Sequence, residues 1–385
     1  MKPTNCLLKK KFSVFLLFLI FGNPSVYAQL ENNIFKIHNE IQLADTQQLK
    51  LRFDNLNYFR NNEYFGNIQE GYTLFGYQLQ PELVYFPNAN VRVAGGIFLM
   101  KDFGNPAYTQ ISPTFNIKLK KNDVSLLFGN LEANLNHRLV EPLYDFERLI
   151  YDKLEHGIQL KIEKPRLWLD AWMDWEKMIY HGSPFQEQFT AGFSSDINLL
   201  GAEKKLALSI PVQTMVSHKG GQIQLGGDSL GLHNVLTQWN SAVGFSISYK
   251  FDNSFLKEIK TDNYFVYYKD LSGTQTVAYR EGTGAYLNLL VKTKFIDVML
   301  NYWNASSYIA PRGGPLYQSV SFDDPSYTEK NRELLFLRLM YEKEFFKDLF
   351  FNVRFEPYQD FVEKRLEYSY SIYLTYRKDI KLAKF

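Results

Sequence analysis

The densest run of reactive side chains lies between Asn130 and Glu155. It holds Asn134, Asn136, His137, Arg138, Glu141, Asp145, Glu147, Arg148, Asp152 and Glu155. Charges of both signs at this density either handle ions and polar solutes or are solvated on an ordinary loop. A second set is Trp168, Asp170, Trp172, Asp174 and Glu176, which share one parity against Leu167, Leu169, Ala171, Met173 and Trp175. Indole faces stack on sugar rings and carboxylates accept hydrogen bonds from hydroxyls, so this parity offers a sugar track. The plainer reading, preferred here, places Trp168 and Trp172 in interfacial aromatic girdles. A third set is basic: Arg52, Arg60, Arg92, Lys118, Lys161, Lys250, Lys292, Arg338 and Arg354. Gathered on one wall these would favour anions. Asp54, Glu163, Asp297, Glu342 and Glu356 share their face, which favours cross-strand ion pairs instead.

Signals for catalysis are weak. The histidines are His38, His137, His156, His181, His218 and His233, and none forms a metal-binding spacing. There is no G-x-S-x-G elbow and no phosphate-cradling glycine loop, so no cofactor or metal is expected. His181 with Ser183 and His218 with Ser217 are the nearest approach to a base and nucleophile. Sequence neighbours are poor evidence of such a pair, and the chain reads as non-enzymatic. A barrel enzyme acting on lipid is kept as an alternative. Gly220, Gly221, Gly226 and Gly227 read as turn residues of an outer loop.

The elements that must position these residues follow from composition. Lys9, Lys10 and Lys11 precede an apolar run from Phe12 to Phe21, and Val26-Tyr27-Ala28 follows it. This is the layout of a secretory signal peptide, with cleavage expected after Ala28. Removing residues 1–28 takes four lysines from 43 basic residues and none of the 41 acidic ones, leaving a balance near −2. That balance argues against nucleic acid as a partner. The only cysteine, Cys6, goes with the signal, so no disulfide or thiolate metal site is expected in the exported chain. Aromatics make up 16% of the residues, with 26 Tyr and 32 Phe, yet no later run is long and apolar enough for a helical span. A bilayer then admits only a closed β-barrel, and a barrel averages hydrophilic because only alternate residues face lipid.

Periodicity supports that class over a soluble sandwich. Tyr368, Tyr370, Ile372, Leu374 and Tyr376 alternate with Ser369, Ser371, Tyr373 and Thr375. Val243, Phe245, Ile247 and Tyr249 alternate with Gly244, Ser246, Ser248 and Lys250. Successive strand side chains point to opposite faces, so each segment carries one apolar and one polar surface. About sixteen such strands fit between Leu49 and Tyr376, with fourteen to eighteen allowed. Their connections alternate between short turns, such as Lys121-Asn122 and Lys164-Pro165, and long loops, such as 131–154, 217–234 and 305–331. Short turns on one side and long loops on the other are the mark of a bacterial outer-membrane barrel, with short turns and both termini in the periplasm. The expected fold is therefore an all-β, transmembrane, antiparallel up-and-down barrel over residues 49–385, preceded by a periplasmic lead-in at 29–48. Lys378-Asp379-Ile380-Lys381 is expected to interrupt the last strand.

This layout resembles that of the sixteen-stranded bacterial porins, as architecture rather than by a diagnostic motif. In that family the loop after the fifth strand folds into the lumen and narrows it. The resemblance implies that His137, Arg138, Glu141, Asp145, Glu147 and Arg148 form a pore constriction. A short amphipathic helix starting near Pro142 would rest Leu143, Phe146, Leu149, Ile150 and Leu154 on the wall. Trp168, Asp170, Trp172, Asp174, Arg52, Arg92, Lys250, Arg338 and Arg354 would line the lumen. The expected function is a passive or weakly selective outer-membrane channel for small polar solutes such as sugars or anions, in contact with membrane lipid. The alternatives are a non-conducting binding, structural or secretion-associated barrel and the lipid-modifying enzyme. A homo-oligomer stays open, because a trimer contact would be an apolar outer face and every outer face is apolar.

Overall fold

A strand with one apolar and one polar face stays soluble in neither water nor lipid until its edges are paired and its two faces sorted. The chain satisfies both demands by closing. The computed structural model describes residue 35 and residues 39–132, 136–181, 183–200, 205–220 and 235–385. The signal segment, His38, Asn134, His233, Gly221, Gly226 and Gly227 lie outside these residues.

Sixteen antiparallel strands form one closed barrel, each paired with its sequence neighbours. They are β1 (Gln48–Glu63), β2 (Thr73–Asn88), β3 (Val91–Asp102), β4 (Gln110–Lys121), β5 (Val124–Asn130), β6 (His156–Lys164), β7 (Leu167–Lys177) and β8 (Glu187–Asn198). The second half comprises β9 (Leu206–Gly220), β10 (Leu236–Lys250), β11 (Leu256–Asp270), β12 (Glu281–Thr293), β13 (Asp297–Ser306), β14 (Asn331–Phe346), β15 (Leu349–Asp360) and β16 (Arg365–Lys384). β1 closes on β16, with Leu51 opposite Ile380 and Arg60 opposite Ser371. Closure removes both sheet edges, which a strand in hydrocarbon cannot leave unpaired.

The interruption expected at Lys378–Lys381 does not end the last strand, which runs on to Lys384. At that depth the charges find cross-strand partners. Arg52 Nε bonds Asp379 at 3.0 Å and Lys378 Nζ reaches Asp348 at 2.7 Å. Tight turns on the periplasmic side use residues that tolerate left-handed backbone. Asn122 has φ 54° between β4 and β5, and Asp348 has φ 69° between β14 and β15.

The faces sort as the alternation requires. Leu83, Phe115, Phe265, Leu287 and Leu300 are exposed on the outer wall. Arg92, Gln159, Asp170, Gln213, Asn240, Asn301 and Arg354 are buried on the inner one. The interior is not left to water. The loop after β5 and the 307–330 loop after β13 both fold into it, and Leu139, Val140, Leu143, Tyr308 and Tyr317 join one cluster with wall residues Trp172, Tyr268, Trp303 and Phe336. From the other end, Phe35 packs against Phe146 and Tyr373, and Ile41 packs with Val84, Phe86 and Ala94. The expected amphipathic helix shrinks to a single turn, α1 (Arg148–Tyr151). The preceding stretch gives its backbone bonds to the other inserted loop: Asp145 N donates to Arg312 O at 2.7 Å and Glu141 O accepts from Gly314 N at 2.9 Å.

Candidate active site

Of the loop residues singled out by density, His137, Arg138, Glu141, Asp145, Glu147, Arg148 and Glu155 sit inside the barrel, where contacts with the wall hold several of them, while Asp152 is exposed. Glu147 accepts from Arg60 Nε at 2.7 Å and from Tyr72 OH at 2.5 Å. Glu141 accepts from both Arg338 and Tyr317, the latter at 2.7 Å. Glu132 sits between Lys118 and Lys161, each at 2.8 Å. Burial disfavours the Glu132 carboxylate, but Lys161 and Lys118 outweigh it and hold its pKa at about 2. Arg148 pairs with Asp152 along α1. Asp145 accepts a hydrogen bond from Tyr151 OH at 2.9 Å. Burial, with the neighbouring Glu147 charge, pushes its carboxyl up to about 7.

His137 is the centre of this arrangement. Its ring is fully buried and lies parallel to Trp172 with centroids 3.7 Å apart. Nε2 meets Glu155 at 2.6 Å and Nδ1 meets Asp170 at 3.0 Å. Burial works against the charged ring, but Glu155 and then Asp170 prevail and raise its pKa to about 9. His137 and Arg138 both carry positive φ, 53° and 57°. That conformation costs about 1–2 kcal/mol for a side-chain-bearing residue. It is sustained by the carboxylates on His137 and by the Arg138 guanidinium stacked 3.6 Å over Trp168. With both ring nitrogens clamped and no exposed edge, His137 is an anchor rather than an acid or base for a substrate.

The wall residues divide. Trp168, Trp172 and Asp170 lie on the inner face against the loop, so the preferred girdle reading of the two indoles gives way to contacts with Arg138 and His137. Asp174 accepts from His156 N at 2.8 Å. Arg92 donates to Asn116 at 2.6 Å, and Arg354 lies 4.6 Å from the Phe146 ring. Lys250 is exposed at the end of β10, opposite Glu258.

A different histidine has the freedom and the partner that chemistry requires. On β9, Ser217 and His218 point to opposite faces. Ser217 faces inward, its Oγ 3.3 Å from Thr190 Oγ1, which also accepts from Arg312 of the inserted loop. His218 therefore faces outward, opposite Phe189 on β8 and Thr237 on β10. Its Nδ1 is 2.8 Å from Thr237 Oγ1. Of the histidines suspected from sequence, His181 lies in an exposed turn where Ser183 Oγ instead accepts from Tyr180 N at 2.9 Å. Sequence reasoning set His218 beside Ser217, whereas strand alternation parts the two side chains and His218 meets Thr237. Thr237 carries no local signal, since only the β9–β10 register brings it opposite His218.

A closed sixteen-stranded wall, apolar outside and filled inside by its own loops, defines an outer-membrane β-barrel. The profile of the lipid A 3'-O-deacylase-type family matches residues 41–385, and the chain belongs to that family. No curated protein matches the sequence. Among solved structures the fold is similar to outer membrane protein OmpT of Vibrio cholerae in its trimer form, at 10% identity over 87% of this chain and 100% of that one, TM-score 0.50. A loop L8 deletion mutant of the same protein gives 10% identity, 86% and 100% coverage, and TM-score 0.51. OprD from Pseudomonas aeruginosa gives 12%, 87%, 95% and 0.48. At such identities the likeness is one of fold. The family membership overturns two expectations from sequence: the diffusion channel for small polar solutes, and the absence of enzymatic activity. The family is one of deacylases, which are hydrolases. The porin layout misled because barrel architecture is shared by channels and enzymes, and function resides in what is placed on the wall.

Proposed function

We propose that this protein is an ester hydrolase of the outer leaflet that removes an acyl chain from lipid A. The observation that carries this reading is the family match, which spans the whole barrel from residue 41 to residue 385. The reaction adds water across an acyl ester, giving a fatty acid and a free sugar hydroxyl. Lipid A is anchored by its acyl chains in the outer leaflet, so its esters lie at the level of the extracellular strand ends. The filled interior is consistent with this, since inserted loops leave the outer wall and the rim as the surfaces a lipid reaches. Export by cleavage after Ala28 is part of the proposal, and N-terminal sequencing of the outer-membrane form should begin at Gln29. The decisive experiment incubates the purified, folded barrel with lipid A in detergent micelles and follows its mass. Loss of one acyl chain with release of the matching fatty acid is expected; an unchanged lipid A mass would sink the reading.

A further inference from the structure

We infer that His218 and Thr237 form a base–nucleophile pair on the lipid-facing wall. This assignment rests on the hydrolase reading above and places its chemistry. Thr237 Oγ1 lies 2.8 Å from His218 Nδ1, within reach for proton transfer. Both residues sit at the strand ends that lead into the long loops, hence at the outer-leaflet level. Aromatic pairs flank them on both sides. Trp175 stacks on Phe189 at 5.3 Å, and Phe189 lies 4.9 Å from the His218 ring. On the other side Trp239 meets Tyr267 at 5.6 Å. An acyl chain laid along this wall would run between the two pairs, with its ester at the dyad.

The supports are equally specific. Thr237 N donates to Ser272 Oγ at 2.9 Å, and Thr237 O accepts from Leu271 N at 2.8 Å, so the β11–β12 loop fixes the threonine backbone. Gly220, two residues beyond His218 on the same face, keeps the imidazole edge clear; a Cβ there would lie 3.0 Å from His218 Nε2. Lys269, opposite Trp239, is exposed on the same outer face and suits a phosphorylated glycolipid, while Glu187 lies opposite Gly220.

The chemistry balances without a cofactor. Thr237 Oγ1 attacks the acyl carbonyl as its proton passes to His218 Nδ1. The ester C–O bond breaks, and the sugar oxygen leaves with that proton. Water then attacks the acyl-threonine, gives a proton to His218, and releases the fatty acid as Thr237 regains its hydrogen.

The test uses the folded, heat-modifiable barrel and four variants. His218→Ala and Thr237→Val should lower kcat on lipid A by about 100-fold or more with little change in KM. Thr237→Ser should restore most of the rate, and His181→Ala should leave it unchanged. Phosphatidylethanolamine vesicles form a parallel arm, since the shared chemistry is an acyl ester in a bilayer; faster cleavage there would assign the dyad to phospholipid rather than lipid A. Independently of any lipid, a fluorophosphonate should phosphonylate Thr237, with fluoride leaving, in wild type but not in His218→Ala. Absence of that label, or lipid cleavage undiminished in both dyad variants, overturns the site. Labelling without lipid A cleavage leaves the site standing and removes the substrate.

Discussion

His137 illustrates how a reactive side chain becomes structural. The same imidazole chemistry that suits a base is spent on two carboxylates, Glu155 and Asp170, and on a stacking contact with Trp172. The sign of its contribution follows from its pKa, raised from 6.5 to about 9 in the folded state. The stabilisation is fully present below about pH 6.5 and is lost as pH rises through 9. Wild type should therefore lose thermal stability between those limits relative to His137→Gln, read as the difference in heat-modification midpoint across pH; parallel profiles would contradict the ion-pair account. Arg338 gives a second residue-scale test. It is buried and pairs with Glu141. Arg338→Ala strands that carboxylate, and a loss of about 3–5 kcal/mol is expected in urea titrations of the micelle-bound barrel.

At the level of elements, the inserted loops and the wall depend on one another. The loop after β5 and the 307–330 loop bond each other through Asp145–Arg312, Glu141–Gly314 and Tyr308–Pro142, the last at 3.1 Å. Removing the loop after β5 takes Glu147 from Arg60 and Glu141 from Arg338, and leaves the two buried wall arginines to share Glu356. Replacing residues 139–151 by a short Gly-Ser linker should lower the heat-modification midpoint by more than any single substitution in the loop. An unchanged midpoint would mean that the loop only rests in the barrel. The helix expected from Pro142 onward was legible as an apolar pattern, and Leu143 and Ile150 are indeed fully buried. Its brevity was not legible, because the backbone bonds that replace helical ones come from a loop over 160 residues away.

The whole molecule is a wall plus a filling. Lead-in residues Phe35 and Ile41 enter from the periplasmic end, and the two long loops enter from outside. Intact protein in planar bilayers should show no steady open conductance; a stable porin-sized step in wild type would contradict the filled lumen. The sequence by itself determined the closed barrel, a count of about sixteen strands within fourteen to eighteen, and the alternation of short and long connections. Alternation with period two and turn residues such as Asn122 are local properties, readable a few residues at a time. Only the tertiary structure decided where chemistry sits. Ser217 and His218 are adjacent in the chain but lie on opposite sides of the wall, whereas His218 and Thr237, nineteen residues apart, touch. Strand register sets those partnerships, and register depends on the closure of the entire sheet.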